Sequence, residues 1–231
     1  MCRLFGIKNF DSSSHKRILQ DFFELAEKGN VLPGEPPGHV DGWGIGWYQG
    51  GTAHIEKSGS SALSEAEKIN SLVHSIGSTT ILIAHLRNSA WHDTSTSRHA
   101  HPFGLNNIIF AHNGTVIDYH PLRNMIPQEL LPPLDSLDTE VLFRAVMSSP
   151  ESALKEKFIE TIKKVKMLKY SALNVLMSDG NSLFGYRDYA QNPDYYTLYS
   201  TKINNSTIIC SEKLPASNEW VSLNNEQLIV V

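Results

Sequence analysis

What most limits the fold of this chain is where its two hydrophobic periodicities fall. Strand-length runs open and close the sequence, and helical spacing lies largely between them. Cys2 to Asn9 alternates, with Leu4, Gly6 and Lys8 on one face and Arg3, Phe5 and Ile7 on the other. Ser12 to Ser14 can cap a helix that places Ile18, Leu19, Phe22, Phe23 and Ala26 on one side and stops at Gly29. Trp43 to Tyr48 and Thr52 to Lys57 flank Gln49-Gly50-Gly51 and predict a hairpin. Ser64 to Ile76 reads as a helix, Thr79 to Leu86 as a buried strand by its β-branched content, and Asn107 to His112 as another strand. Two helices come next. One starts near Asp138 and buries Leu142, Ala145 and Val146. The other starts at Pro150 and lines up Leu154, Phe158, Ile162 and Val165. Strands return at Ser171 to Ser178, Ser182 to Arg187, Tyr195 to Thr201, Thr207 to Cys210 and Gln227 to Val231. This order predicts an α+β fold, with helices packed on mostly antiparallel sheets. No repeat, linker or low-complexity tract divides residues 1–231, so the chain reads as one domain.

Composition then removes whole classes of function. A formal net charge of −4 gives no electrostatic basis for binding nucleic acid. No apolar run reaches the length of a membrane span, and the amino terminus lacks the continuous apolar core of a signal peptide. Two cysteines, Cys2 and Cys210, make no disulfide framework, and a reduced, cytoplasmic protein is expected.

Cys2 stands directly after the initiator. It reads either as an ordinary strand residue or as a nucleophile. Removal of Met1 would leave a thiol and an α-amino group on one residue. An α-amino pKa of about 7.7–8.0 suits a general base, so one residue would supply nucleophile and base. His112-Asn113-Gly114-Thr115, after the apolar run Ile108 to Ala111, reads as a turn or as an oxyanion hole built from the Asn113 side-chain amide and the Gly114 N–H. Arg87, at the end of an apolar strand, reads as a surface charge or as a fork for a substrate carboxylate. Asp138 reads as a helix N-cap or as a carboxylate for a substrate ammonium. His39 to Trp47 reads as a tight turn into a core strand or as the wall against which the terminal cysteine packs. His99 and His101, among ten histidines, offer two ligand-type residues without a third at matching spacing, so no metal site is expected. No phosphate-binding glycine loop or Gly-x-Ser-x-Gly elbow is present.

Taken in order, six strings carry a resemblance. They are Met1-Cys2-Arg3-Leu4-Phe5-Gly6, Asp41-Gly42-Trp43-Gly44-Ile45-Gly46, Ala84-His85-Leu86-Arg87, His101-Pro102-Phe103, Phe110-Ala111-His112-Asn113-Gly114 and Asp138-Thr139-Glu140. Together they resemble the class II glutamine amidotransferases, and most closely their stand-alone, YafJ-like branch. Ser211-Glu212-Lys213-Leu214, with Trp220, resembles the end of that domain more loosely. The resemblance implies the four-layer αββα sandwich of the N-terminal-nucleophile hydrolases and a thiol-dependent transferase or hydrolase activity without a cofactor. Cys2 would attack a γ-glutamyl amide, Asn113 and Gly114 would hold the oxyanion, Arg87 the α-carboxylate and Asp138 the α-ammonium. A γ-glutamyl thioester would then be hydrolysed to glutamate, with release of ammonia or an amine. Where larger relatives carry Trp and Thr-His after the arginine, this chain has Asn88-Ser89-Ala90 and then Trp91-His92. No synthase region is seen before Val231, so an ammonia acceptor would lie on a separate synthase or peptidase subunit; nucleic acid and membrane are not expected partners.

Rival readings are an N-terminal-cysteine amidase of the bile-salt or penicillin acylase type, a non-catalytic glutamine-sensing subunit, and a redox-sensing thiol. The loops Arg87 to Leu105 and Asn30 to Gly42 flank the candidate residues and are expected to act as lids.

Overall fold

The computed structural model describes residues 2–91 and 93–231. Met1 and His92, and with Met1 the expected processing step, lie outside them. The elements are β1 (Arg3–Asp11), α1 (Ser12–Lys28), β2 (Trp43–Gln49), β3 (Thr52–Ser58), α2 (Ala66–Ile76), β4 (Ser78–Leu86), β5 (Phe103–Leu105), β6 (Ile108–Asn113), α3 (Asp138–Met147), α4 (Leu154–Val165), β7 (Asn174–Ser178), β8 (Leu183–Arg187), β9 (Tyr199–Ile203), β10 (Ser206–Cys210), β11 (Val221–Ser222) and β12 (Gln227–Val230). Short 3-10 turns at His120–Met125 and Gln128–Leu130 lead towards α3.

The strands form two antiparallel sheets, one ordered β11-β9-β10-β1-β4-β2-β3 and the other β12-β8-β7-β6-β5. Three apolar layers join them to the helices. Alternation along β4 shows why: Leu82, Ala84 and Leu86 face α1 and α2 with Phe5, Ile7 and Phe22, while Ile81 and Ile83 face the second sheet with Leu4, Ile109 and Leu176. Phe110, Val175 and Met177 turn the other way, onto α3 and α4 and their Leu142, Val146, Phe158 and Ile162. Each such aliphatic side chain contributes about 1.5–3 kcal/mol by leaving water. The resulting layer order, helix, sheet, sheet, helix, is the four-layer α+β arrangement expected.

Several boundaries move from expectation. The cap of α1 is Asp11, which accepts from the Ser14 N–H at 3.0 Å; the serines lie inside the helix. Pro150 does not start α4, which begins at Leu154. Ser148 and Ser149 still close the end of α3 by donating to Arg144 and Val146 carbonyls, so the proline belongs to that exit turn. Tyr195 and Tyr196 are not yet strand, because both donate back to the Asn192 carbonyl and the turn holds them until β9.

The stretch around Trp43 is also reassigned. β4 lies between β1 and β2, so this segment does not wall the terminal cysteine. Trp43 and Trp47 join the cluster under α1 and α2. Gly44 and Gly46 face the second sheet, where a Cβ on Gly44 would sit 2.2 Å from the His101 carbonyl oxygen and one on Gly46 2.9 Å from Ile109 Cγ2. Missing side chains here let the segment before β5 lie against the first sheet. Gly44→Ala is therefore expected to cost about 1–3 kcal/mol through overpacking, read as a lowered urea midpoint. An unchanged midpoint would mean that the sheets part here freely.

Candidate active site

Cys2 stands one residue before β1, and β1 is flanked on both edges, by β4 and β10. Arg3 pairs with Leu86 across the β1–β4 ladder, so the next step of the register sets Cys2 beside Arg87. Cys2, Arg87, Trp91, Gly114, Asp138 and Thr139 line one narrow cleft. A larger hollow near Asn107 and Gly180 contains none of these groups, so size does not locate the chemistry. The Cys2 thiol is half-buried and donates weakly to the Asn88 carbonyl oxygen, at 3.7 Å.

β6 ends at the cleft with Asn113, which is fully buried. Neither atom of its side-chain amide has a hydrogen-bond partner among the described residues. A buried amide left unpaired costs about 1–3 kcal/mol. Gly114 comes next, at φ +149°, and a Cβ there would lie 2.0 Å from the Ala172 carbonyl oxygen. Only glycine fits this path. The segment is not a hairpin turn: β6 pairs with β7, and Val116 bridges to Tyr170 beyond a long excursion through α3 and α4.

Arg87 is buried, with its guanidinium held by neutral oxygens. Nη1 donates to the Thr94 carbonyl at 2.7 Å, and Nη2 to Ser89 Oγ and Thr94 Oγ1, each at 2.8 Å. It forms no ion pair with a carboxylate among the described residues. Burial pulls its pKa down, opposed by the negative charge available at Cys2, Asp41 and Asp138.

Across the cleft, Asp138 is the first residue of α3, and the cap position belongs to Leu137 without a side-chain hydrogen bond. The N-cap reading of Asp138 is therefore set aside. Its Oδ2 accepts from the Val116 N–H at 2.9 Å and its Oδ1 from Trp91 Nε1 at 3.2 Å. It too lacks a Lys or Arg partner among the described residues. Burial raises its pKa, against the pull of His112 and these two donors. A buried guanidinium and a buried carboxyl, neither in a salt bridge among the described residues, thus line one cleft.

Sequence reasoning does not single out the supporting residues. The loop after Arg87 lines the cleft and is tied to the Asn30 to Gly42 loop: Asn88 Nδ2 donates to the Gly38 carbonyl at 3.1 Å, and Asp41 accepts from the Ser89 N–H at 2.7 Å and from Ser95 Oγ at 3.1 Å. His112 Nε2 lies 3.1 Å from the Ala172 carbonyl and must carry a proton there, leaving Nδ1 to accept from the Thr139 hydroxyl at 3.0 Å. His112 thereby links the end of β6 to the head of α3. His101 donates from Nδ1 to the His112 carbonyl at 3.1 Å and packs 4.2 Å from the His85 ring. His99 instead contacts Thr96 and the Asp135 carbonyl. No group of three or more His, Cys, Asp or Glu is placed to hold a metal among the described residues. No helix there is long and apolar enough to cross a membrane.

Known proteins share this sequence pattern and this fold. The sequence profile described as glutamine amidotransferases class-II matches residues 1–196. An uncharacterized protein of Methanocaldococcus jannaschii is 31% identical over 198 residues, 82% of this chain and 51% of the relative. The chain thus spans about half the length of that relative. A glutamine aminotransferase class-II domain protein from Silicibacter pomeroyi superposes with a TM-score of 0.64 over 99% of this chain and 94% of its own, at 17% identity. Glutamine phosphoribosylpyrophosphate amidotransferase from B. subtilis gives 0.64 over 91% of this chain and 42% of its own, at 19% identity. At such identities the two structures speak for the fold alone.

The buried histidines make stability depend on pH. Burial, then the nearby Arg3 cation, pushes His39 down to about 3, and burial likewise holds His85 and His101 well below the usual imidazole value. Below pH ~6.5 the unfolded chain takes up protons that these rings refuse. Stability is therefore full above that pH and falls with acid, by up to about 1.4 kcal/mol per pH unit for each ring. Urea midpoints at pH 7.5 and 5.0 should differ accordingly; equal midpoints would mean that the rings titrate normally in the folded protein.

Proposed function

The chain belongs to the class II glutamine amidotransferases, and on that premise we propose that it hydrolyses glutamine or another γ-glutamyl amide with Cys2 as nucleophile. One observation carries the reading: Arg87 and Asp138, a guanidinium and a carboxyl with no salt-bridge partner among the described residues, border the cleft that Cys2 enters. A free α-amino acid head group supplies both missing charges, its carboxylate to Arg87 and its ammonium to Asp138. The conjugates cleaved by bile-salt or penicillin amidases can offer a carboxylate but no α-ammonium beside it.

With the head group so fixed, the side chain reaches towards Cys2. Removal of Met1 frees the Cys2 α-amino group, which accepts the thiol proton as Sγ adds to the substrate amide carbon. Negative charge then develops on the amide oxygen. The unpaired Asn113 Nδ2 and the Gly114 N–H are the donors for it. The α-ammonium returns its proton to the departing nitrogen, the C–N bond breaks, and a γ-glutamyl thioester remains. Water, deprotonated by the same amine, adds to the thioester and releases glutamate and the free thiol. The ammonia or amine leaves into solvent or to a separate acceptor subunit.

Cys2→Ala should abolish glutamate release while leaving the melting temperature within a few degrees. Asn113→Ala, which removes one donor to the oxyanion, should lower kcat by roughly 10²- to 10³-fold. Asp138→Asn keeps the shape and loses the charge, and should raise KM for glutamine roughly 10- to 100-fold, as expected for a hydrogen bond to a charged group. An unchanged KM would exclude Asp138 from ammonium binding. Intact mass, measured alongside turnover, should show a chain that lacks Met1; turnover by a chain retaining it would rule out the amine as base.

A further inference from the structure

The residue after the nucleophile is a fully buried arginine. Successive side chains of a strand alternate, so while Cys2 faces the cleft, Arg3 turns to the opposite face of the sheet. Its Nε forms an ion pair with Glu212, and its Nη2 donates to the Asn30 carbonyl. Nη1 lies 3.4 Å from the carbonyl oxygen of Cys2 itself, and the guanidinium carbon is 4.5 Å from the centre of the Tyr195 ring. Glu212 in turn accepts from the Asn30 N–H at 2.8 Å and from Asn30 Nδ2 at 3.2 Å. The residue before it closes the ladder: Ser211 Oγ accepts from the Leu4 N–H and the Ser211 N–H donates to the Leu4 carbonyl, each at 2.9 Å.

A buried ion pair is an inefficient way to stabilise a fold, since apolar residues of similar volume serve as well or better. Its use beside Cys2 therefore needs another reason. A catalyst whose nucleophile is its own first residue has no preceding chain to hold that residue, and chain ends fray. A misplacement of about 1 Å can cost a hundredfold in rate. Resting on the nucleophilic role proposed for Cys2, we infer that Arg3 and Glu212 are positioning residues that clamp the Cys2 main chain and so aim its thiol and amine. Arg3 grips the Cys2 carbonyl from behind the sheet; Glu212 fixes the guanidinium and the Asn30 turn that completes its cage. Glu212 lies beyond residue 196, where the family profile ends, so the clamp is closed by a segment outside the matched region.

Two variants test the clamp. Glu212→Gln keeps the shape but removes the charge that holds Arg3. Arg3→Lys keeps a cation for Glu212 but loses the fork that spans Asn30 and Cys2. Both should speed amide hydrogen exchange at residues 3–5 at least tenfold, with exchange in β4 and β7 unchanged. Both should lower kcat for glutamate release at least tenfold and leave KM within about twofold, because Arg87 and Asp138 still hold the head group. The proposal is overturned if amino-terminal exchange stays as in the wild type in both variants, if Arg3→Lys keeps full kcat, or if KM rises in step with any loss of kcat. Should one variant fail to fold, the other decides. Wild-type protein that turns over no glutamine or γ-glutamyl amide would sink the proposed function instead, and the exchange comparison would still judge the clamp.

Discussion

Cys2 is held by the strand it leads into, β1. It lies inside the seven-stranded sheet, paired along one edge with β4 and along the other with β10. Both faces are covered, one by α1 and α2 and the other by the second sheet. Little of the structure is independent of that placement. β4 brings Arg87 alongside Cys2 because its register with β1 leaves no other choice. The second sheet brings Asn113 and Gly114 over the same end, because Gly44 and Gly46 allow the segment before β5 to pack closely.

The electrostatics of the cleft arise from this burial. Charges inside a protein are tolerated when something answers them. Arg87 and Asp138 form no salt bridge among the described residues and are held by neutral oxygens and N–H donors. By contrast Arg3, equally buried, has its own carboxylate. The two arginines differ in that, among the described residues, only Arg3 is paired with a carboxylate. Around them, His39, His85 and His101 are kept neutral by the same desolvation, which limits stray charge near the cleft.

Much of this is legible in the sequence, for reasons that are local. Strands such as β4 and β6 declare themselves by β-branched and apolar content. Cys2, Arg87, Asn113-Gly114 and Asp138 each stand in a short string open to a bland reading alone; their order together singles them out, and the fold brings Cys2, Arg87, Gly114 and Asp138 to one cleft. The errors are local too. Asp11 and the serines after it are equally good caps, and geometry chose the aspartate. Trp43 and Gly44 read as one wall, although alternation sends them to opposite faces. Hidden from the sequence is whatever long-range contacts create. Trp91 meets Asp138 and Arg3 meets Glu212 only after the chain has folded, and nothing in the strings around them specifies those partners. The Asn88 carbonyl that accepts from the thiol is main chain, which no residue identity encodes.

The pairing of β1 with β10 also has a consequence in time. On a ribosome the first strand is made at once, but its partner at Ser206–Cys210 emerges far later. At about 5–20 residues per second, roughly two hundred residues take about 10–40 s. Throughout that interval one edge of β1 has no mate. Cys2 is therefore enclosed only when the last strands arrive.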